Sequence, residues 1–241
     1  MTAVEWLEEK LGGVDTGVSY HYFKKIIEQA KEMERQTSIP KNKLNYIPIP
    51  SSQLSENLNL QLTKNHEYDI FYAVSHGVNR GVLKKSKIDE RYLFLESLIN
   101  KSPEISYNVF GFNNIQPIWG DDFVKEISRC RFGLNLSRGQ PIKYYSSNRI
   151  SSLMGNAMPT LIDEKVKYSD FFSDKEMIFY KDIEDLIDKV KFYKKNEKKR
   201  IQIGINGKKK YFKIFNNKIV ADYIVSKTLG IRSSYSYVWD Q

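Results

Sequence analysis

The chain has 241 residues, 41% hydrophobic and 28% charged, a balance that fits one large domain or two small ones and excludes wholesale disorder. A single cysteine, Cys130, excludes an internal disulfide and a cysteine-rich zinc site, and no run approaches the ~18 apolar residues of a membrane-spanning helix. The net charge is +9, but residues 181–213 hold twelve Lys/Arg against five Asp/Glu, so one lysine-rich helical face accounts for most of it without a nucleic-acid partner.

The opening MTAVEWLEEK lacks the basic–apolar–small pattern of a secretory signal, so a cytoplasmic location is expected. Residues 20–37 place Phe23, Ile26, Ile27, Ala30 and Met33 at helical spacing. Pro40, Pro48 and Pro50 then break any helix. Residues 44–49 form at most a short strand running into a linker, and 51–66 reads as a connection. From Tyr68 the pattern becomes regular. YDIFYAV (68–74) predicts a buried strand, and residues 88–100 a helix with Tyr92, Leu95, Leu98 and Ile99 on one face. ISYNVFG (105–111) predicts a second strand ending in glycine. DDFVKEISRC (121–130) is a short helix opened by two acids that suit its dipole, with Cys130 buried and inert at its end. RFGLNLS (131–137) is a third strand. SSNRISSLMGNA (146–157) is a helix with Ser146 or Ser147 as N-cap and Gly155 near its end. MPTLIDE (158–164) and EMIFY (176–180) are further strands, and two or three helices fill 182–229. The alternation predicts an α/β domain, a Rossmann-like open parallel sheet flanked by helices, behind a short helical N-terminal segment.

In such a sheet, ligands bind outside the carboxyl ends of the strands. The segments there are SHGVNRGVLKK (75–85), GFNNIQPIWG (111–120), SRGQPIKYYSSNR (137–149) and DEKVKYSD (163–170). Their Gly, Ser, Asn, Arg and Lys donate hydrogen bonds to phosphate or sugar oxygens. At KYYSSNR, a helix N-terminus with Arg149 in its first turn and Lys143 upstream suits an anion. The alternative is that the serines only cap the helix and Arg149 pairs with an acid. In SHGVNRG, Gly77 and Gly81 allow a tight turn, His76 is a candidate acid/base or hydrogen-bond donor to a ligand, and Arg80 with Lys84 or Lys85 suits a diphosphate. The alternative there is a turn with solvated bases. Neither stretch matches a P-loop or a G-x-G-x-x-G fingerprint. Tyr144, Tyr145 and Trp119 either stack on a ligand ring or cover apolar surface. His21, His66 and His76 are not spaced as a ligand pair, and Asp121–Asp122 and Asp163–Glu164 are simple neighbours, so metal chemistry has little support. Lys208–Lys210 and the 194–200 cluster read as a solvated face.

The order of segments from about 68 to 228 resembles the C-terminal domain of GT-B-fold glycosyltransferases, most of all the CgeB/YkvP-like, group 1-type proteins. The resemblance is carried by RCRFGLNLSRG (129–139), YYSSNRISSLMGNAMPTLIDE (144–164), DIEDLIDKV (182–190) and NGKKKYFKIFNN (206–217), with NYIPIP (45–50) similar to the end of an N-terminal domain. It implies three parts: an N-terminal remnant and linker over 1–66, a nucleotide-sugar-binding domain over 67–230 and a tail over 231–241. It also implies a sugar transfer from a nucleotide-sugar donor to a glycan, lipid or protein acceptor hydroxyl, with no cofactor and no metal. The site residues it points to are Ser75, His76, Gly77, Arg80, Lys85, Gly111, Asn135, Ser137, Arg138, Lys143, Tyr145, Ser146, Ser147, Asn148, Arg149 and Ser152, with the diphosphate on Arg149 and no catalytic residue named. Relatives commonly carry a glutamate where this chain has Ser152. A whole GT-B enzyme has two Rossmann-like domains of ~100–200 residues each, so a missing N-terminal domain partner or a homodimer is expected. The other functional readings are a non-catalytic nucleotide- or protein-binding module of the same fold and a basic nucleic-acid-binding protein.

Overall fold

Short apolar runs separated by amphipathic helices arrange themselves in the computed structural model as a parallel sheet covered on both faces. The structure describes residues 46–52, 56, 58–60, 66–74, 82–83, 87–88, 90–137 and 141–240. The expected helix over 20–37 lies outside the described residues, as do Ser75, His76, Gly77, Arg80, Gly81, Lys84, Lys85 and Arg138. All the elements below belong to the unit Ile47–Gln241.

In chain order these are β1 (Tyr68–Ala73), β2 (Val82–Leu83), β3 (Lys87–Ile88), α1 (Glu90–Lys101), β4 (Tyr107–Phe110), α2 (Gly120–Ser128), β5 (Cys130–Asn135), α3 (Asn148–Gly155), β6 (Thr160–Asp163), two 3-10 turns (Glu164–Val166 and Tyr168–Asp170), β7 (Ile178–Tyr180), α4 (Ile183–Lys195), α5 (Glu197–Ile214) and α6 (Asn217–Leu229). β2 and β3 form a separate antiparallel pair. The other five strands form one sheet in the order β4-β1-β5-β6-β7, parallel throughout. Ile70 stands between Tyr107 and Phe132, and Gly133 between Phe71 and Thr160. The chain steps from β1 to β4 on one side and then crosses to β5 on the other. The order therefore reverses between β1 and β5, which is where a doubly wound sheet opens a crevice at its carboxyl edge. The Rossmann-like expectation holds.

Alternation along β1 assigns its two faces. Ile70 and Tyr72 bury against Leu95 and Leu98 of α1 and Leu186 and Val190 of α4. Phe71 and Ala73 bury against Ile127 of α2 and Leu153 of α3. α3 lies directly on β5, because a Cβ on Gly133 would meet the Leu153 side chain at 2.4 Å. α5 approaches as closely: Cβ atoms on Gly204 and Gly207 would meet the carbonyl oxygens of Ala157 at 2.1 Å and Glu176 at 2.4 Å.

Helix ends follow local chemistry. Asp182 caps α4 by accepting from the Asp185 N–H at 2.8 Å, and Lys194 and Lys195 close its last turn. Asn216 caps α6 through the Ile219 N–H, and Gly230 ends it at φ +65°. α3 is shorter than its sequence pattern. Ser147 is extended (φ −147°) at its start, and Ala157, at φ +60°, lies beyond its end. Described residues of the segment before β1 contact α3 and α5. Ile49 N–H donates to Ser146 Oγ, Tyr211 Oη–H donates to Ile49 O, and Ser51 exchanges backbone bonds with Phe215 and Asn217. The tail after Gly230 folds back on α6. Ser233 and Tyr237 donate to the Asp222 carboxylate, and Trp239 packs edge-on against Phe215 at 5.5 Å.

The amino edge of the sheet is tied by one buried carboxylate. Asp69, 0% exposed, accepts from Arg131 Nη1 (3.0 Å), Lys194 Nζ (2.7 Å) and the Ser106 N–H and Oγ–H (3.1 Å each). Burial opposes its charge, but Lys194, Ser106 and Arg131 outweigh that and hold the carboxyl below its ordinary range.

Candidate functional site

The carboxyl ends of β1 and β5 diverge at the switch point, and Arg149 bridges them. Arg149 is the second residue of α3, which rests on the Gly133 face of β5. Its Nη1 donates to Ala73 O at 2.9 Å and its Nη2 to Leu136 O at 2.8 Å, and the guanidinium lies 4.5 Å from the centroid of the Tyr72 ring. Neither sequence-level picture anticipated this. Among the described residues the arginine pairs with no acid, and the two Nη groups expected to grip a phosphate are committed to main-chain carbonyls. A bidentate phosphate contact there would have to displace them. Its Nε is buried without an acceptor among the described residues.

Around it the polar groups are only half satisfied. Asn135, the last residue of β5 and 1% exposed, accepts from Ser147 Oγ at 3.2 Å through Oδ1, while its Nδ2 has no partner among the described residues. Ser147 sits at the N-cap position of α3 but gives its hydroxyl to Asn135 instead of capping the helix. Ser137 Oγ and Tyr180 Oη are likewise buried and unpartnered among the described residues. Buried polar atoms without partners are uncommon and each costs roughly 1–3 kcal/mol, so these four concentrate unmet hydrogen-bonding capacity, among the described residues, at the carboxyl edge of the sheet.

Ser137 and Tyr180 both line a cavity of about 370 Å³ above β5, β6 and β7. Its other walls include Asp163 at the end of β6, Lys165 in the following turn, Arg91 at the start of α1, and Asp182 and Glu184 at the start of α4. Asp163 accepts from the Lys165 N–H at 2.8 Å. Burial pushes its carboxyl above the ordinary range, against the opposing pull of Lys165. Burial likewise raises the Tyr180 hydroxyl well above its ordinary value, with Asp163 adding to the effect. The lining mixes carboxylates, cations, a phenol and a serine. That set can donate to and accept from several hydroxyls at once, as a sugar or ribose requires.

The other expected residues scatter around this edge. Gly111 follows β4 at φ +73°, and a Cβ there would meet Val74 O at 2.1 Å, so its glycine is required by the backbone crossing beneath it. Ser146 Oγ accepts from Ile49, and Tyr145 N–H bonds Ile142 O. Asn148 is exposed, and its carbonyl accepts from Ser151 Oγ. Lys143 lies 4.6 Å from the centroid of the Tyr144 ring and faces a different cavity. Ser152 Oγ donates to Glu56 Oε1 at 3.4 Å, so a carboxylate from the preceding segment approaches this position. Asp163 and Tyr180 were absent from the expected set, although the rule that ligands gather beyond strand ends singles out both.

Cys130 is buried, and burial pushes its thiol up to about 12, which keeps it an inert thiol. Among the described residues, no three His, Cys, Asp or Glu are grouped to hold a metal ion. No described helix is long and apolar enough to cross a membrane. The basic stretch uses several charges internally: Lys189 with Asp185, Lys191 with Glu104, and Lys194 with Asp69.

A family model described as glycosyl transferase-like matches residues 91–226, more than half of the chain. No curated protein sequence matches. Among solved structures, TarM aligns with a TM-score of 0.50 at 12% identity, over 83% of this chain and 41% of that one. Sucrose-phosphate synthase from Thermosynechococcus elongatus gives 0.46 at 10% identity, over 78% of this chain and 50% of that one. The C-terminal domain of a glycosyl transferase group 1 family protein (LpcC) from Francisella tularensis gives 0.42 at 13% identity, over 70% of this chain and 96% of that one. This chain thus spans less than half the length of TarM, and the likeness to TarM is one of fold. The segments matched by the family model carry α1, the switch-point strand β5, Arg149 and the cavity walls, and the chain belongs to the glycosyl transferase-like family.

Proposed function

We propose that this chain is the donor-binding part of a CgeB/YkvP-like glycosyltransferase, holding a nucleotide-sugar at the carboxyl edge of its sheet. The observation that carries this is the set of buried polar atoms without partners among the described residues at the carboxyl edge, on Asn135, Ser137, Arg149 and Tyr180. The hydroxyl-rich part of the donor fits the mixed cavity beside Tyr180 and Asp163. The diphosphate belongs nearer Arg149 and the start of α3, where the charge is positive and the helix dipole adds to it. Transfer breaks the bond between the anomeric carbon and the diphosphate oxygen, which leaves with the electron pair. The acceptor oxygen bonds that carbon and passes its proton to the departing diphosphate, and nothing is oxidised or reduced. Side-chain cations offset the leaving charge, with no bound metal required. Residues 67–230 form the donor domain, with a partner N-terminal domain or a second copy supplying the acceptor side, and the location is cytoplasmic. Glu56 supplies the carboxylate that Ser152 lacks.

A thermal-shift panel of UDP-, GDP-, dTDP- and CMP-sugars at physiological salt, with and without chelator, tests this. A ligand at 100 times its Kd stabilises by ~2.7 kcal/mol, which raises the midpoint of a chain this size by roughly 5–10 °C. One nucleotide class should give that shift, unchanged by chelator. No shift with any donor would contradict the reading. Release of free nucleoside diphosphate in the presence of donor and acceptor separates an enzyme from a non-catalytic module.

A further inference from the structure

A second cavity, of about 520 Å³, lies between the loop before α3, the last turns of α5 and the tail. It collects Lys143, Lys210 and Lys213 from separate parts of the chain around an aromatic floor of Tyr144, Phe171 and Trp239. We propose that it binds a phosphate monoester carried on a small polyol or sugar, independently of the switch-point site.

Three observations point to that chemistry. First, the charge is lopsided. The one carboxylate in the wall, Asp170, accepts from Tyr144 Oη at 2.6 Å, and none of the three lysines is in an ion pair among the described residues. Glu176 also acts electrostatically on Lys210, but Ser173 holds its carboxylate through both N–H and Oγ. Second, Trp239 is 7% exposed and forms one wall, yet its indole N–H is buried with no acceptor among the described residues. The ammonium groups bind phosphate as point charges, and the Trp239 indole in the wall reports on a ligand beside it. Third, the aromatic floor is fixed. Tyr144 packs on Phe171 at 4.7 Å, and Trp239 is wedged against Phe215, Tyr223 and Tyr237. Flat rigid faces of this kind receive the C–H side of a polyol or sugar ring, and the volume lies within the ~300–1,000 Å³ of small-molecule sites.

The test titrates the full chain with glycerol 3-phosphate and follows the Trp239 indole N–H by NMR. Spectra of Trp6→Phe and Trp119→Phe assign that resonance by elimination. A saturable shift is expected, absent with glycerol alone. Lys210→Gln with Lys213→Gln should weaken it by about a hundredfold, about tenfold per charge-assisted contact, without changing the fold. Vesicles containing phosphatidic acid form a second arm. A Trp239 response to vesicles but not to glycerol 3-phosphate, lost in the double variant, assigns the phosphate to a lipid headgroup and keeps the site. No saturable response to either probe overturns it, and so does a response that survives the double substitution. A response abolished by Tyr180→Phe overturns its independence from the switch point.

Discussion

The two edges of the same sheet treat polar groups in opposite ways. At the amino edge, Asp69 is fully buried, and Arg131, Lys194 and Ser106 bond both of its oxygens. At the carboxyl edge, Asn135, Ser137, Arg149 and Tyr180 each keep a buried polar atom with no partner among the described residues. The first arrangement serves the fold, because every charge taken from water is given an opposite charge in return. On the proposed reading, the second gives up stability that a fully packed edge would retain, as a site shaped for a ligand does. His66 is the exception at the amino edge: its Nε2 is buried without an acceptor among the described residues.

The contrast can be broken or sharpened by substitution. Asp69→Ala should have the largest effect. It leaves Arg131 and Lys194 facing each other without a carboxylate and costs about 3 kcal/mol in urea unfolding, while donor affinity is unchanged. Equal losses of affinity and stability would erase the distinction between the edges. Arg149→Ala should cost about 2–3 kcal/mol, because the carbonyls of Ala73 and Leu136 lose their donors, and should also weaken nucleotide-sugar binding more than tenfold. Stability unchanged in that variant would mean the arginine is not a strut.

A smaller effect follows from pH. Burial, then the charges of Arg200 and Arg131, lower the His66 pKa below its ordinary 6.5, with Glu197 opposing. The unfolded chain therefore takes up a proton first. Stability from this group is complete above pH 6.5 and falls as pH drops from there through the folded value. Chemical denaturation at a series of pH values should show that slope, and His66→Gln should flatten it. Asp69 acts in a lower window, with its contribution present above pH 3.8 and lost as pH falls through its depressed value. The smallest stability change belongs to Ser137→Ala, within about 0.5 kcal/mol of wild type, with donor affinity reduced severalfold.

The sheet was legible because its strands are short apolar runs with polar borders: YDIFYAV and RFGLNLS announce β1 and β5 within a residue or two. Strand order was not, since nothing local records that β5 pairs with β1 on the side opposite β4. Gly204 and Gly207 lie inside α5, where the carbonyls of Ala157 and Glu176 leave no room for a side chain, and no local pattern announces that close approach. The position of Arg149 was visible from the helix start it occupies. Its partners were not, because Ala73 stands 76 residues away and meets it only once the sheet has formed. By residue type Tyr180 looks like a core tyrosine, and its place at the end of a strand, which the sequence offered, together with the cavity above it, which the sequence did not, separates it from Tyr72 or Tyr168.

The central claim is that the carboxyl edge gives up stability for binding, and Tyr180→Phe tests it most directly. The substitution removes one buried hydroxyl that has no partner among the described residues, and nothing else. Melting curves should be recorded for both proteins, without ligand and with the donor that stabilises the wild type. The account predicts an unliganded midpoint equal to or above wild type, together with a donor-induced shift that is clearly reduced. A lower unliganded midpoint with an undiminished donor shift would contradict it, and would make Tyr180 a core residue like its neighbours.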